Sequence, residues 1–106
     1  MEVFTALADP VRLRIVELLA ERERTAGEVA GQFDISGPAI SRHLRVLREC
    51  GVATYEQRAQ QRIYRLDGAA LRRAEEWMAG QRTRWERRLD RLGEHLDDMA
   101  RAEEQR

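Results

Sequence analysis

The stretch Ser36-Gly37-Pro38-Ala39-Ile40-Ser41-Arg42-His43-Leu44-Arg45-Val46-Leu47-Arg48-Glu49-Cys50-Gly51 decides the fold. Ser36 is a residue type that caps a helix N-terminus, and Pro38 suits a first helical turn, where a missing N–H costs nothing. Gly51 stands where a left-handed helix terminator belongs. At about 100° per residue, Ile40, Leu44 and Leu47 fall on one side of the helix. Ser41, Arg42, Arg45, Arg48 and Glu49 fall on the other. One face therefore goes to a core, and the opposite face is polar and carries three arginines.

Toward the N-terminus, Thr25-Ala26-Gly27-Glu28 has the form of a capping box. It opens a short helix with Val29 and Phe33 turned inward, and Asp34-Ile35 makes a brief turn before Ser36. Two short helices joined by a tight turn, over about residues 25–50, match the helix-turn-helix, whose second helix enters the major groove. Further upstream, Asp9-Pro10 starts another helix. Val11, Ile15, Leu18 and Leu19 give it an apolar stripe, and it ends in the charged run Glu21-Arg22-Glu23-Arg24. Residues 3–8 read as a first short helix with Phe4 and Leu7 on one face.

Toward the C-terminus, residues 52–57 and 62–66 hold the β-formers Val52, Thr54 and Tyr55, then Ile63 and Tyr64. They bracket Arg58-Ala59-Gln60-Gln61, so residues 52–66 read as a hairpin that would be the wing of a winged helix. The loop lacks an Asn-Gly or Asp-Gly pair, which leaves its turn type open. From residue 69 to about 99 the pattern turns helical. Trp85, Leu89, Leu92, Leu96 and Met99 are spaced by 4, 3, 4 and 3, a heptad seam about two heptads long. Gly80 is a candidate bend or break in this helix, and the tail over residues 101–106 is expected to fray. The expected fold is mainly α with a small β-hairpin, a winged helix-turn-helix with a long C-terminal dimerisation helix, in a single domain over residues 1–106.

Composition narrows the function. The 106 residues fit one small domain, and 42% hydrophobic residues suffice for a core. Nineteen basic and nineteen acidic residues cancel, and taken whole that argues against a nucleic-acid binder. Segment by segment the balance differs. Residues 1–35 hold four Arg against seven acids, net −3. Residues 36–66 hold six Arg against two acids, net +4, and residues 67–106 hold nine Arg against ten acids, net −1. The positive segment is the second helix of the motif and the hairpin, where phosphate contacts would be needed. Every basic residue is Arg, which codon bias from a GC-rich genome explains more readily than phosphate recognition does. The single Cys50 excludes an internal disulfide framework and a Cys-rich zinc module. No apolar run approaches the roughly 18 residues of a membrane span, and no secretory signal is visible. A cytoplasmic protein is expected.

Three stretches carry a family resemblance. They are Ala6-Leu7-Ala8-Asp9-Pro10-Val11-Arg12-Leu13-Arg14-Ile15, then residues 35–47 from Ile35 to Leu47, then Tyr64-Arg65-Leu66-Asp67. Together they resemble the ArsR/SmtB-type winged-helix repressors over about residues 3–100, and the middle stretch is the most specific. The closing helix, with Trp77, Trp85 and Arg88-Leu89-Asp90, is similar to the metal-independent branch. The resemblance implies a homodimeric cytoplasmic regulator that binds double-stranded operator DNA and represses transcription, with the first and last helices, about residues 3–8 and 69–100, as the dimer interface. It implies DNA-contact roles for Ser36, Pro38, Ala39, Ser41, Arg42 and Arg45 on the recognition helix, and for Arg58 and Arg62 beside the wing tip. It implies dimer contacts for Phe4, Leu7, Trp85, Leu89, Leu92 and Leu96. It leaves the effector unknown, and an activator would carry the same motif. The chain departs from the family at Gly37, where a longer polar side chain is common, and at Ala59-Gln60, where Gly plus a basic residue is common.

Other residues admit other readings. His43 lies at the edge of the apolar face and reads as a packed, hydrogen-bonded histidine before a base contact. Cys50 reads as a small packed residue before a redox switch. His95 with Glu94, Asp97 and Asp98 reads as a solvated helix end before a metal site. Metal-sensing members of the family carry a Cys pair in the first helix of the motif or spaced His and Asp ligands in the last. Here residues 25–33 hold no Cys and the last helix holds one His, so no metal and no cofactor is expected. Trp77 and Trp85 read as interface residues before the lining of an effector pocket. Ser41, His43 and Cys50 are spaced by two and seven on one helix, which builds no nucleophile–base pair, and no glycine-rich phosphate loop is present, so catalysis is not expected. The competing function is a protein-interaction module that uses the C-terminal seam and leaves the wing idle.

Overall fold

The computed structural model describes residues 2–105. In chain order they form α1 (Glu2–Leu7), α2 (Pro10–Glu21), β1 (Arg24–Thr25), α3 (Ala26–Ala30), α4 (Gly37–Glu49), β2 (Ala53–Arg58), β3 (Gln61–Leu66) and α5 (Gly68–Glu104). Two compact units divide the chain, one ending at Ala74 and the other running on from Glu75.

The first unit follows its capping residues closely. The Asp9 carboxylate accepts from the N–H groups of Val11 at 2.8 Å and Arg12 at 3.1 Å and starts α2. These bonds to orphan helix donors, that of Arg12 foremost, hold the Asp9 carboxyl below its ordinary pKa. Thr25 and Glu28 form the reciprocal capping box at 3.1 and 3.2 Å. Ser36 Oγ accepts from the Ala39 N–H at 3.2 Å and starts α4. At the far end of α4, Gly51 has φ 81°. Its N–H donates to the Arg48 carbonyl at 3.1 Å, and the Val52 N–H donates to that of Leu47 at 2.9 Å. That is a Schellman closure, and the buried pair Leu47 and Val52 supplies the apolar contact that accompanies it.

The core of this unit gathers Ile15 and Leu19 from α2, Val29 from α3, Ile40, Leu44 and Leu47 from α4, and Val52 and Tyr64 around the hairpin. Each fully buried Leu or Ile contributes about 1.5–3 kcal/mol relative to an exposed one, so this apolar stripe fixes which face of α4 is left to solvent.

The sheet has three antiparallel strands in the order β1-β3-β2, so the small β-hairpin is joined by a strand that the sequence did not announce. Arg24 pairs with Tyr64 and Thr25 with Ile63. Two residues are too few to show an alternating pattern, and β1 lies in a charged run. Arg24 is nevertheless only 7% exposed. Its Nε donates to the Leu18 carbonyl at 3.0 Å and its Nη2 pairs with Glu21 at 2.8 Å, so the buried guanidinium satisfies the end of α2. Between β2 and β3 the pairing of Arg58 with Gln61 leaves Ala59-Gln60 as a two-residue loop. Ala59 sits at φ 54°, a left-handed conformation that costs a non-glycine residue about 1–2 kcal/mol. The Gln57 side chain donates to the Ala59 carbonyl at 3.1 Å and supports the turn. Helix α5 opens in this unit, with Asp67 accepting from the Ala69 N–H at 3.0 Å and with Ala70 and Ala74 buried.

The second unit is the remainder of α5, which runs unbroken through Gly80 and on to Glu104. The candidate bend at Gly80 is absent, because one glycine costs a helix only about 1 kcal/mol and its neighbours are strong helix formers. The tail expected to fray over residues 101–106 is likewise helical as far as Glu104, supported by Ala100, Ala102 and an Arg101–Asp98 pair at i, i+3; Arg106 lies outside the described residues. None of the described residues from Glu75 on is buried, and Trp85, Leu89, Leu92, Leu96 and Met99 of the seam remain 48–59% exposed. Among the described residues, no helix is long and apolar enough to cross a membrane.

Candidate nucleic-acid interface

Helix α4 turns Ile40, Leu44 and Leu47 into the core and leaves Ser36, Pro38, Ser41, Arg42 and Arg45 exposed. Ala39 is half-buried, so it stands back from that surface. Ser36 accepts from the helix backbone, which leaves its hydroxyl proton free to donate outward. Arg42 and Arg45 have no carboxylate partner among the described residues.

The wing carries its charges on two faces, because side chains alternate along a strand. On the face with Tyr55 and Tyr64, Arg62 lies over the Tyr55 ring, Cζ 4.4 Å from its centroid. Arg48 of α4 lies over the same ring at 5.2 Å. The two tyrosine rings are 5.5 Å apart and tilted by 45°. One aromatic pair thus joins the recognition helix to the wing through two guanidinium groups. A hydrogen bond to the Tyr64 side chain, and then the Tyr55 hydroxyl, hold the Arg62 pKa above its ordinary value.

On the other face, Arg58 meets Glu56 through two hydrogen bonds at 3.2 and 3.3 Å and reaches Glu23 at 3.7 Å. Arg65 stands 3.9 Å from both carboxylates. The four charges sum to zero. The bond from Arg58 holds the Glu56 carboxyl below its ordinary pKa, and in return Glu56 raises that of Arg58.

His43 occupies the edge position its spacing indicated and is half-buried. Arg12 Nη1 lies 3.3 Å from its Nδ1. A guanidinium can only donate, so Nδ1 is the acceptor and the ring proton sits on Nε2. The same Arg12 donates to the carbonyls of Ala6 at 2.7 Å and Thr5 at 3.4 Å, tying the end of α1 to α4. The Cys50 thiol donates to the Leu47 carbonyl at 3.4 Å inside its own helix. Among the described residues, no cluster of three or more His, Cys, Asp or Glu is placed to hold a metal ion. Phe4 and Leu7 on α1 are half-buried, and Trp85, Leu89, Leu92 and Leu96 on α5 are exposed.

The sequence places Arg48 on the polar face of its helix, Tyr55, Tyr64 and Arg65 in the hairpin and Glu23 in a charged run, but it assigns none of them a functional role. A usable signal existed. With a two-residue loop at Ala59-Gln60, Tyr55 faces Tyr64 and Arg62 falls diagonal to Tyr55.

Comparison with known proteins agrees with this geometry. Residues 9–55 match the family described as "Bacterial regulatory protein, arsR family". The chain is 38% identical over 76 residues to the transcriptional repressor SdpR of Bacillus subtilis, covering 72% of this chain and 84% of that protein. It is 38% identical over 65 residues to the HTH-type transcriptional repressor SmtB of Mycobacterium tuberculosis, covering 61% of this chain but only 48% of that protein. Among solved structures, an ArsR-like transcriptional regulator from Rhodococcus sp. RHA1 superposes with a TM-score of 0.76 at 30% identity, over 86% of each chain. The capped helix pair, the strand-bordered wing and these relatives agree: the chain belongs to the arsR family of bacterial regulatory proteins.

Proposed function

We propose that this protein is a homodimeric transcriptional repressor that binds operator DNA through α4 and the wing, acting in the cytoplasm where the chromosome lies. The observation that carries this reading is the set of Arg42, Arg45, Arg48 and Arg62, all on α4 or the wing and all without a carboxylate partner among the described residues. Uncompensated arginines held on a rigid helix and a stacked wing are what phosphate and base-edge contacts require. The names of the relatives, both repressors, favour repression over activation.

Dimerisation is supported by the seam on α5. A long helix with Trp85, Leu89, Leu92 and Leu96 exposed along one stripe gains little stability alone, and a second copy would cover the stripe. Phe4 and Leu7 of α1 complete the proposed interface. Two-fold symmetry then sets half-sites about 10–10.5 bp apart or a multiple of that. The test is fluorescence anisotropy of the full chain on the DNA upstream of its own gene and on genomic fragments, over a range of salt. Binding that weakens steeply with salt is expected. Absence of salt-sensitive binding on every fragment overturns the reading and leaves the seam as a protein-interaction surface.

A further inference from the structure

Between α4 and the wing lies a cleft of about 320 Å³ lined by Ala26, Ser41, Arg45, Arg48, Arg62 and Tyr64. Three of its six lining residues are arginines and none is acidic. Like charges converge on one space only if something holds them there. Here the holder is Tyr55, whose ring stacks against Arg48 from the helix and Arg62 from β3. Arg62 and Tyr64 line the same cleft beside that stack. Both arginines are therefore oriented before any ligand arrives, which removes much of the side-chain entropy that a flexible cation loses on binding.

We propose that this cleft is a binding site for a phosphoryl oxyanion, with Arg45, Arg48 and Arg62 as its cationic ligands and the Ser41 hydroxyl as a further donor. Tyr55 is the positioning residue that keeps the site assembled. Guanidinium forks match the oxygens of a tetrahedral anion, and three of them around one space suit a single phosphate better than they suit an apolar effector. The site rests on the DNA-binding reading for its occupant: in the complex it takes one backbone phosphate per protomer. It then locks wing and recognition helix onto the same phosphate and sets the register in which α4 meets the groove.

The experiment has two arms on the full-length protein. In the first, binding of the upstream duplex is measured against salt for the wild type, Tyr55→Leu, Tyr55→Phe and Arg48→Ala. Each phosphate contact contributes about 0.9 to the slope of log affinity against log salt. Tyr55→Leu and Arg48→Ala should each flatten the slope by about 1–2 for a dimer with two clefts. Tyr55→Phe, which keeps the ring, should leave it unchanged. Because Tyr55 and Arg48 are both half-buried, melting curves identify a variant that fails to fold, and the variants that stay folded then carry the comparison. In the second arm, inorganic phosphate is titrated at constant ionic strength while the arginine Nε–Hε resonances are followed by NMR. Flattened slopes without shifts support the cleft with a duplex phosphate as occupant. Flattened slopes with shifts support a general phosphoryl site. Shifts without any salt-sensitive binding of DNA by the wild type support a free-anion site and sink the DNA reading alone. Unchanged slopes in folded variants together with no shift overturn the proposal.

Discussion

The two faces of the wing carry the same kind of side chain in opposite electrostatic states. On one face, Arg58 and Arg65 share Glu56 and Glu23, and their charge is spent within the protein. On the other, Arg62 rests on Tyr55 together with Arg48, and neither pairs with a carboxylate among the described residues. Strand alternation separates Arg62 from Arg58 and Arg65. A count of charges over residues 36–66 treats all six arginines alike. What a duplex would meet is the unpaired set, Arg42, Arg45, Arg48 and Arg62. A paired arginine must first lose its partner, so it adds little to affinity while it adds to the integrity of the fold.

The largest effect expected breaks the avidity that the proposed dimer would give by presenting each unpaired set twice. Leu92→Glu puts a charge into the α5 seam and should yield monomers whose operator affinity is lower by about 100-fold or more. Analytical ultracentrifugation decides it, and an intact dimer would refute the seam. Next comes a direct contrast between two arginines. Arg45→Ala should weaken operator binding by about tenfold, the worth of one good charged contact, with the fold intact by circular dichroism. Arg65→Ala should leave affinity within about twofold. Equal losses would mean that the Arg58–Arg65 face of the wing touches DNA as well as α4. A smaller effect runs the other way. Glu56→Gln releases Arg58 from its bidentate partner and removes a negative charge near the duplex. Affinity should rise by about threefold and the salt slope should steepen. A weaker complex would place Glu56 in direct contact with a base.

How much of this was legible in sequence depends on the range of the signal. Caps are local, and Asp9, Thr25, Ser36 and Gly51 each named a helix end that the structure bears out. The stripe of Ile40, Leu44 and Leu47 is also local, a period within thirteen residues, and it fixed the polar face of α4. Strand β1 was hidden because its pairing with Tyr64 and Ile63 spans some forty residues and its sequence is two residues of a charged run. Gly80 left the continuity of the last helix open in the sequence, because a single glycine among good helix formers costs the helix only about 1 kcal/mol and does not by itself decide for or against a break. On α4 the polar face was legible; on the wing Arg58 and Arg62 were both named, but that one is paired and the other is not was illegible. Which arginines are paired depends on strand register, and register depends on a turn whose φ 54° residue is Ala59, with no glycine or asparagine to advertise it.

Acid should separate the two faces of the wing by stability rather than by affinity. Glu56 titrates below its ordinary value because Arg58 bonds to its charged form. A carboxyl with a depressed folded-state pKa stabilises the fold fully above its unfolded value, at about 4.3 for a glutamate, and that contribution is lost as pH falls through the folded value. Asp9 and Glu28 behave the same way, the first through its backbone N–H bonds and the second through the Thr25 N–H and then Arg22. The wild-type melting temperature should therefore hold near neutrality and fall below about pH 4. Arg58→Ala should melt lower than the wild type at neutral pH, and the gap should close in acid, where Glu56 no longer carries the charge that Arg58 meets. Arg62→Ala loses a cation–π contact and no carboxylate partner, so its gap from the wild type should be the same at both ends of the pH series. An Arg58→Ala gap that persists in acid would show that Arg58 acts through packing instead of charge, and the distinction between the two faces would then rest on binding data alone.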